Sequence, residues 1–206
     1  MTNRFPPFFY QSPTDAKQTV MLAEQRFNAQ IQKAADYLLS SNEKVFGLAG
    51  PTCSGKTTTA NKLKELISQS GKNLHIISTD DFYLDREYLI KNSRCEDGHI
   101  DFDSIETINL EALEKCIRMI DSQKDVEIPV FDFVSGKATH TRRISASEND
   151  IFLLEGIHAI TPEVASLMPK DNDYTGIYID VSPNSLFQSS RNADGRTVRL
   201  ARRIIR

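Results

Sequence analysis

The residues best suited to chemistry lie at positions 50–57, which read Gly-Pro-Thr-Cys-Ser-Gly-Lys-Thr and fit the pattern G-x-x-x-x-G-K-[ST]. Such a loop turns backbone N–H groups toward phosphate oxygens, and the following helix points its positive end at the same anion. We expect Lys56 to reach the β- and γ-phosphates and the Thr57 hydroxyl to bind Mg²⁺. The sequence therefore predicts an ATP site. Its residues are Gly50, Pro51, Thr52, Cys53, Ser54, Gly55, Lys56, Thr57 and Thr58.

Acidic residues directly follow two other apolar segments. Asp80 and Asp81 come after residues 75–78, and Glu155 comes after residues 151–154. Ligands of a parallel sheet bind at the carboxyl ends of its strands, so these carboxylates are predicted to lie beside the phosphates. A carboxylate there can take the proton of an attacking hydroxyl, and another can hold Mg²⁺ through water. The nearby His158 is interpreted as a packing or hydrogen-bonding residue.

The pattern of apolar residues indicates the elements that must position these groups. Short apolar runs at 45–49, 75–78, 151–154 and 176–181 alternate with helical patterns at 56–70 and 110–120. This alternation predicts an α/β fold, a parallel sheet with helices on both faces. The extended residues 126–133 contain Pro129, which favours an edge strand or an insertion over a central strand.

An N-terminal extension precedes this alternating region. Residues 1 to about 13 form a Phe- and Pro-rich arm, and a helical pattern follows to about residue 39. Its apolar stripe is expected to pack against the domain, with binding to a partner as the alternative. The stripe consists of Val20, Ala23, Phe27, Ile31, Ala34 and Leu38.

Length and composition exclude several classes of protein. The chain has 206 residues, of which 39% are hydrophobic and 26% charged, and it has neither a long apolar run nor a signal-peptide pattern. Its three cysteines have no zinc-ligand spacing, so no disulfide framework or zinc site is expected. These features predict a cytoplasmic protein that does not bind membranes. The net charge of −3 conceals six arginines and one aspartate within residues 191–206.

Six motifs, in this order, resemble those of the uridine kinase and phosphoribulokinase family of P-loop kinases. After residues 50–57 they are Asp80-Asp81-Phe82-Tyr83, Phe102-Asp103, Pro129-Val130-Phe131-Asp132-Phe133, Leu154-Glu155-Gly156-Ile157-His158 and Arg199-Leu200-Ala201-Arg202-Arg203-Ile204-Ile205-Arg206. The resemblance covers about residues 43–206 and is greatest to bacterial uridine kinase-related proteins. It implies a nucleoside-kinase-like P-loop NTPase domain at 43–206, preceded by an arm and helix at 1–42.

The resemblance also implies a role for each matching residue. Asp80 would be the general base for a ribose 5′-hydroxyl, and Asp103 would accept hydrogen bonds from the 2′- and 3′-hydroxyls. Tyr83 and Phe131 would line the nucleoside pocket. Glu155 would join Thr57 in the Mg²⁺ shell.

The arginine block would form a lid over the phosphates. Arg199, Arg202 and Arg203 would neutralise charge on the transferred phosphoryl group. This explains the block with fewer assumptions than a nucleic-acid patch or a solvated tail, so no nucleic-acid partner is expected. Family members carry further chain after this lid, including a last strand, so the resemblance implies a domain that lacks its C-terminal strand.

Two positions depart from the family pattern. Uridine kinases commonly have Tyr and His where Phe131 and Gly136 stand, and those polar groups read the edge of the pyrimidine. The acceptor is therefore expected to be a uridine- or cytidine-like nucleoside or a related small metabolite. The sequence predicts a kinase that uses ATP and Mg²⁺. The alternative is a nucleotide-binding regulatory module of weak or no activity, and formation of a homo-oligomer stays open.

Overall fold

Four parallel strands form the centre of the structure, a computed structural model that describes residues 13–92, 101–169 and 173–180. In chain order the elements are α1 (Pro13–Ser40), β1 (Val45–Ala49), α2 (Lys56–Ser68), β2 (Asn73–Ser78), a 3₁₀ turn (Thr79–Phe82), α3 (Arg86–Asn92), a second 3₁₀ turn (Ile105–Thr107), α4 (Leu110–Asp121), β3 (Asp125–Asp132), β4 (Lys137–Ser145), β5 (Asp150–Glu155), α5 (Pro162–Ala165) and β6 (Gly176–Tyr178). The strand order in the central sheet is β2-β5-β1-β6.

The two middle strands of the sheet, β1 and β5, are almost entirely buried because other elements cover both faces of the sheet. All five residues of β1 are buried, and only the last residue of β5 is partly exposed. Continuous apolar strands of this kind are typical of parallel sheets. On one face Phe46 and Leu153 pack with α1 and α2, and on the other Phe152 packs with α4 and β3. The α/β prediction is thus confirmed.

The apolar stripe of α1 packs on the domain only in its second half. Ile31 and Leu38 are buried, whereas Val20 is 59% exposed. Lys62 of α2 donates to Asn28, and Lys72 beyond α2 donates to the Leu39 carbonyl, so the two helices run parallel.

The expectation that the whole stripe packs is therefore wrong for its N-terminal end, because α2 begins only six residues before Lys62. Because Lys62 lies beside Asn28, the start of α2 lies beside about residue 22 of α1. The turns of α1 that precede this level extend beyond α2. The aromatic arm at residues 1–12 lies outside the described residues, and the domain boundary at residue 42 stays a prediction.

A separate antiparallel hairpin is inserted between α4 and β5. Its strands are β3 and β4, and the register shifts at a bulge between Val130 and Phe131. This confirms residues 126–133 as an insertion. β4 was not predicted because most of its residues are exposed and carry no apolar alternation. In the part of the chain that the structure describes, no helix is long and apolar enough to cross a membrane.

Candidate active site

The predicted phosphate loop and the predicted acids meet where three neighbouring strands end. Glu155, the last residue of β5, pairs with Ser78 of β2 on one side and with Leu48 of β1 on the other. Asp80 lies two residues beyond Ser78, and Gly50 lies two residues beyond Leu48. The aligned strand ends therefore bring the phosphate loop, Asp80 and Glu155 to one edge of the sheet, as the sequence predicts.

The loop between β1 and α2 has the form of an anion cradle. Cys53 and Gly55 adopt left-handed conformations, with φ of 61° and 106°, which turn successive backbone N–H groups the same way. The N-cap residue of α2 is Gly55, which provides no side-chain cap, so the first N–H groups of the helix are free for a ligand. The Ser54 hydroxyl is buried and has no hydrogen-bond partner among the described residues. These features fit the phosphates of ATP.

Lys56 lies between the cradle and the carboxylates. Its Nζ donates to the carbonyl oxygens of Gly50, at 2.9 Å, and Pro51, at 3.4 Å. Burial raises the pKa of Asp80, and the positive charge of Lys56 opposes that rise. The pKa of Glu155 is raised by burial, is lowered by Lys56, and is raised again by Asp80. One ammonium group thus faces two half-buried carboxylates.

A glycine allows the two acidic strand ends to approach closely. A Cβ atom on Gly156 would lie 1.8 Å from Oγ1 of Thr79, which is itself fully buried. The same hydroxyl donates to the Glu155 carbonyl at 3.4 Å. Because no larger residue fits at 156, the turn that carries Asp80 can lie directly against the end of β5.

The donor set fits Mg²⁺ in part. Within residues 13–92, 101–169 and 173–180, no group of three or more His, Cys, Asp or Glu side chains converges as a metal site. Mg²⁺ bound to a nucleotide keeps several waters and needs only one or two protein oxygens besides those of the phosphates. The exposed Thr57 hydroxyl and the Glu155 carboxylate are oxygens of this kind, and they are the residues that would hold the ion.

An aromatic cluster adjoins the carboxylates. The Tyr83 ring contacts the rings of Phe102, Phe131 and Phe133, with centroid separations of 6.3, 5.6 and 6.0 Å. Asp103 follows Phe102 and is close enough to Asp80 to raise its pKa. Tyr83, Phe131 and Asp103 are therefore brought together with Asp80. Phe102 and Phe133 have no role predicted from the sequence, although they lie in the same motifs as Asp103 and Phe131.

Arg86 fixes the hairpin turn that carries Phe133. Its guanidinium donates to the Phe133 carbonyl at 2.6 Å, and its backbone N–H donates to the Gly136 carbonyl at 2.8 Å. Gly136 has a φ of 71°, and a Cβ atom there would lie 2.8 Å from the Cβ atom of Arg86. This turn therefore requires a glycine, and there is no room for a larger side chain at position 136.

Asp81 ties the hairpin to the turn that carries Asp80. Its carboxylate accepts from the Phe131 backbone N–H at 3.5 Å and lies 3.9 Å from Arg142. Arg142 also donates to the Ile76 carbonyl in β2. Burial raises the pKa of Asp81. The second acid of the pair thus has structural contacts, whereas Asp80 faces Lys56. The predicted lid residues Arg199, Arg202 and Arg203 lie outside the described residues.

Comparison with known proteins identifies the family. Residues 45–188 match the model of the Phosphoribulokinase / Uridine kinase family. The chain belongs to this family.

Two relatives of this chain are uridine-cytidine kinases. It is 29% identical to uridine-cytidine kinase 2-B of Danio rerio over 172 residues, which are 79% of this chain and 57% of that protein. It is also 29% identical to uridine-cytidine kinase C of Dictyostelium discoideum over 124 residues. These residues are 60% of this chain and 25% of that protein. The chain thus spans a quarter to just over half of the length of these relatives.

A solved structure shares the fold. The structure of a possible uridine kinase from Bacillus stearothermophilus superposes with a TM-score of 0.59 at 21% identity, over 77% of this chain and 82% of that chain. This likeness shows that the two chains share a fold.

Proposed function

We propose that the protein transfers the γ-phosphoryl group of ATP to a hydroxyl of a nucleoside or a related small metabolite, in the cytoplasm. The observation that carries the proposal is the meeting of Lys56 with Asp80, which follow the two strands on either side of β5, beside the aromatic cluster and Asp103. A phosphate cradle, a base and a ring-binding surface are the parts that such a transfer needs.

The transfer is an in-line displacement. The acceptor hydroxyl oxygen forms a bond to the γ-phosphorus while the bond from that phosphorus to the bridging oxygen of ADP breaks. The proton of the hydroxyl passes to the Asp80 carboxylate, whose pKa is raised by burial, which makes it a stronger base than an exposed aspartate. ATP supplies the phosphoryl group, and bound Mg²⁺ would neutralise negative charge on the phosphates. Lys56 adds a fixed positive charge beside the reacting phosphate.

Activity is expected to depend on pH in a direction that follows from the position of Asp80. The base must be ionised, so kcat/KM rises as pH increases through its pKa. Because burial raises that pKa above the ordinary value of 3.8, the acid limb of the kcat/KM profile should have its midpoint above that value. A profile measured at saturating Mg²⁺ would contradict this role if its acid limb fell at or below the ordinary value.

The aromatic cluster favours an acceptor that contains a flat ring and a sugar. Tyr83, Phe102, Phe131 and Phe133 offer ring faces, and Asp103 can accept hydrogen bonds from two neighbouring hydroxyls. The names of the relatives make uridine and cytidine the first acceptors to test.

The described cluster has few polar groups for the edge of a base. The Tyr83 hydroxyl already donates to the Phe102 carbonyl. The Phe131 side chain has no polar atom, and Gly136 has no side chain. We therefore expect the base to be held mainly by stacking. A site that reads a hydrogen-bonding edge rejects an analogue without it by about 10⁴-fold. Here kcat/KM for 3-methyluridine should stay within about tenfold of that for uridine.

A coupled assay of ADP release tests the proposal. The acceptors are uridine, cytidine, 3-methyluridine, adenosine, pantothenate and ribulose 5-phosphate, and a reaction without acceptor corrects for hydrolysis of ATP. Acceptor-dependent ADP release with a nucleoside supports the proposed function. No turnover with any acceptor, together with calorimetric binding of ATP, would instead indicate the nucleotide-binding regulatory module.

A further inference from the structure

His158 is a buried side chain to which the proposed transfer assigns no step, although it is close enough to Asp80 to oppose the rise in that carboxyl's pKa caused by burial. It lies three residues after Glu155 and is only 2% exposed. Its Nε2 atom is 2.9 Å from the backbone carbonyl oxygen of Asp103. Since a carbonyl only accepts, Nε2 must carry the proton of this hydrogen bond. The Nδ1 atom is buried and has no partner among the described residues, so this ring makes its one hydrogen bond to the Asp103 backbone.

A second side chain holds the preceding carbonyl. The Tyr83 hydroxyl donates to the Phe102 carbonyl oxygen at 3.0 Å, and burial raises the pKa of Tyr83 to about 12, so the donor keeps its proton. The Tyr83 and His158 rings meet edge to face, with centroids 6.5 Å apart. Tyr83, which follows β2, and His158, which follows β5, thus pack together. They donate to two consecutive carbonyls, those of Phe102 and Asp103.

The other hydrogen bonds that residues 101–104 make with described residues are local. The Asp103 N–H donates to the Asp101 side chain, and the Ser104 N–H donates to the Asp101 carbonyl. Thr107 donates to carbonyls of the same segment. These local bonds shape residues 101–104, and the Leu84 N–H, which donates to the Thr107 carbonyl at 2.8 Å, ties the end of the segment to the chain after β2. Among the hydrogen bonds that residues 101–104 make with other described residues, those from His158 and Tyr83 are the ones that reach the strand ends.

We infer that His158 is a positioning residue for the acceptor: by holding the Asp103 carbonyl, it sets where the Asp103 carboxylate meets two neighbouring hydroxyls. Tyr83 supports the same segment through Phe102. This inference rests on the proposed function, because it assigns Asp103 to the acceptor. His158 itself touches neither the acceptor nor the phosphates in this account.

The first test compares two variants of His158 with two acceptors. His158→Phe keeps a ring but loses the donor, and His158→Gln keeps an N–H group in reach of the carbonyl. With uridine, His158→Phe should raise the acceptor KM about tenfold, which corresponds to one lost hydrogen bond. The KM for ATP should change less than about threefold, and His158→Gln should recover most of the loss.

The second acceptor separates positioning from general damage to the fold. 2′,3′-Dideoxyuridine keeps the 5′-hydroxyl but has no hydroxyls for Asp103. If His158 acts through Asp103, His158→Phe should leave kcat/KM for this analogue almost unchanged. An equal loss of kcat/KM with both acceptors would overturn the inference. His140→Gln, at an exposed histidine of β4, is the matched control.

Hydrogen exchange gives a readout that needs no activity. Amides of residues 101–107 should exchange faster in His158→Phe than in the wild type and in His158→Gln, while those of α4 stay unchanged. Unchanged exchange of residues 101–107 in His158→Phe would overturn the inference even in an active kinase. If none of the acceptors is phosphorylated, the proposed function fails, and the exchange still decides whether His158 holds this segment. Tyr83→Phe, which removes one atom, tests the segment if His158→Phe does not fold.

Discussion

Asp80→Asn is expected to lower kcat about 10²- to 10⁴-fold, the usual contribution of a positioned general base. The amide keeps the size of the side chain but cannot take the proton of the acceptor hydroxyl. Because the phosphate cradle is formed by other residues, the Kd for ATP should change less than about threefold. Steady-state kinetics with the best acceptor, together with calorimetry for ATP, measures both quantities.

The stability of the same variant controls for misfolding. Burial raises the pKa of Asp80 in the folded state above its ordinary value of 3.8, so near neutral pH the folded protein holds an ionised carboxylate at a cost. Asp80→Asn should therefore unfold at a higher urea concentration than the wild type at pH 7, and this gain should shrink as pH falls toward the ordinary value. Asp85→Asn, at an exposed aspartate of the same segment, should change neither kcat nor stability. A normal kcat for Asp80→Asn would remove Asp80 from the role of base.

Lys56→Ala is expected to lower kcat/KM about 10²- to 10³-fold, as is usual when one preorganised charge or donor facing the transition state is lost. The ammonium group is the largest opposing influence on the pKa values of both Asp80 and Glu155. Its removal should therefore raise both pKa values further and move the acid limb of the residual activity to higher pH. The kcat/KM profile against pH measures both effects.

A second lysine of α2 is the matched control for this variant. Lys64 is exposed and lies two turns further along the same helix, so Lys64→Ala removes the same charge from the protein without removing it from the site. Its kcat/KM and acid limb should equal those of the wild type. Equal effects of Lys56→Ala and Lys64→Ala would show that only the net charge matters and would contradict the position given to Lys56.

The sequence predicts the phosphate side of the site well because local pattern and topology suffice there. The glycine-rich loop follows one apolar strand and the acids follow two others, and parallel strands bring their carboxyl ends to one edge. The paired positions Ser78, Glu155 and Leu48 show this convergence. No long-range contact has to be guessed to place Lys56, Asp80 and Glu155 together.

The acceptor side was harder to predict because its contacts depend on backbone geometry. The exposed strand β4 has no alternation of apolar and polar residues. Only β3, the first strand of the hairpin that presents Phe131 and Phe133, could therefore be predicted from the sequence. Gly156 lies against Thr79, and Gly136 lies against Arg86. These contacts depend on the path of the backbone, so no pattern of residues in the sequence predicts them. The partial packing of α1 depends on where α2 begins, which the stripe itself does not reveal.

The fate of the γ-phosphate of ATP tests the central claim most directly. The protein is incubated with γ-³²P-ATP, Mg²⁺ and uridine, and the labelled products are separated. We expect the label to appear in a nucleoside monophosphate, and we expect Asp80→Asn nearly to abolish this transfer. Label that remains in ATP, or appears only as inorganic phosphate, with uridine and with every other acceptor tested would contradict it.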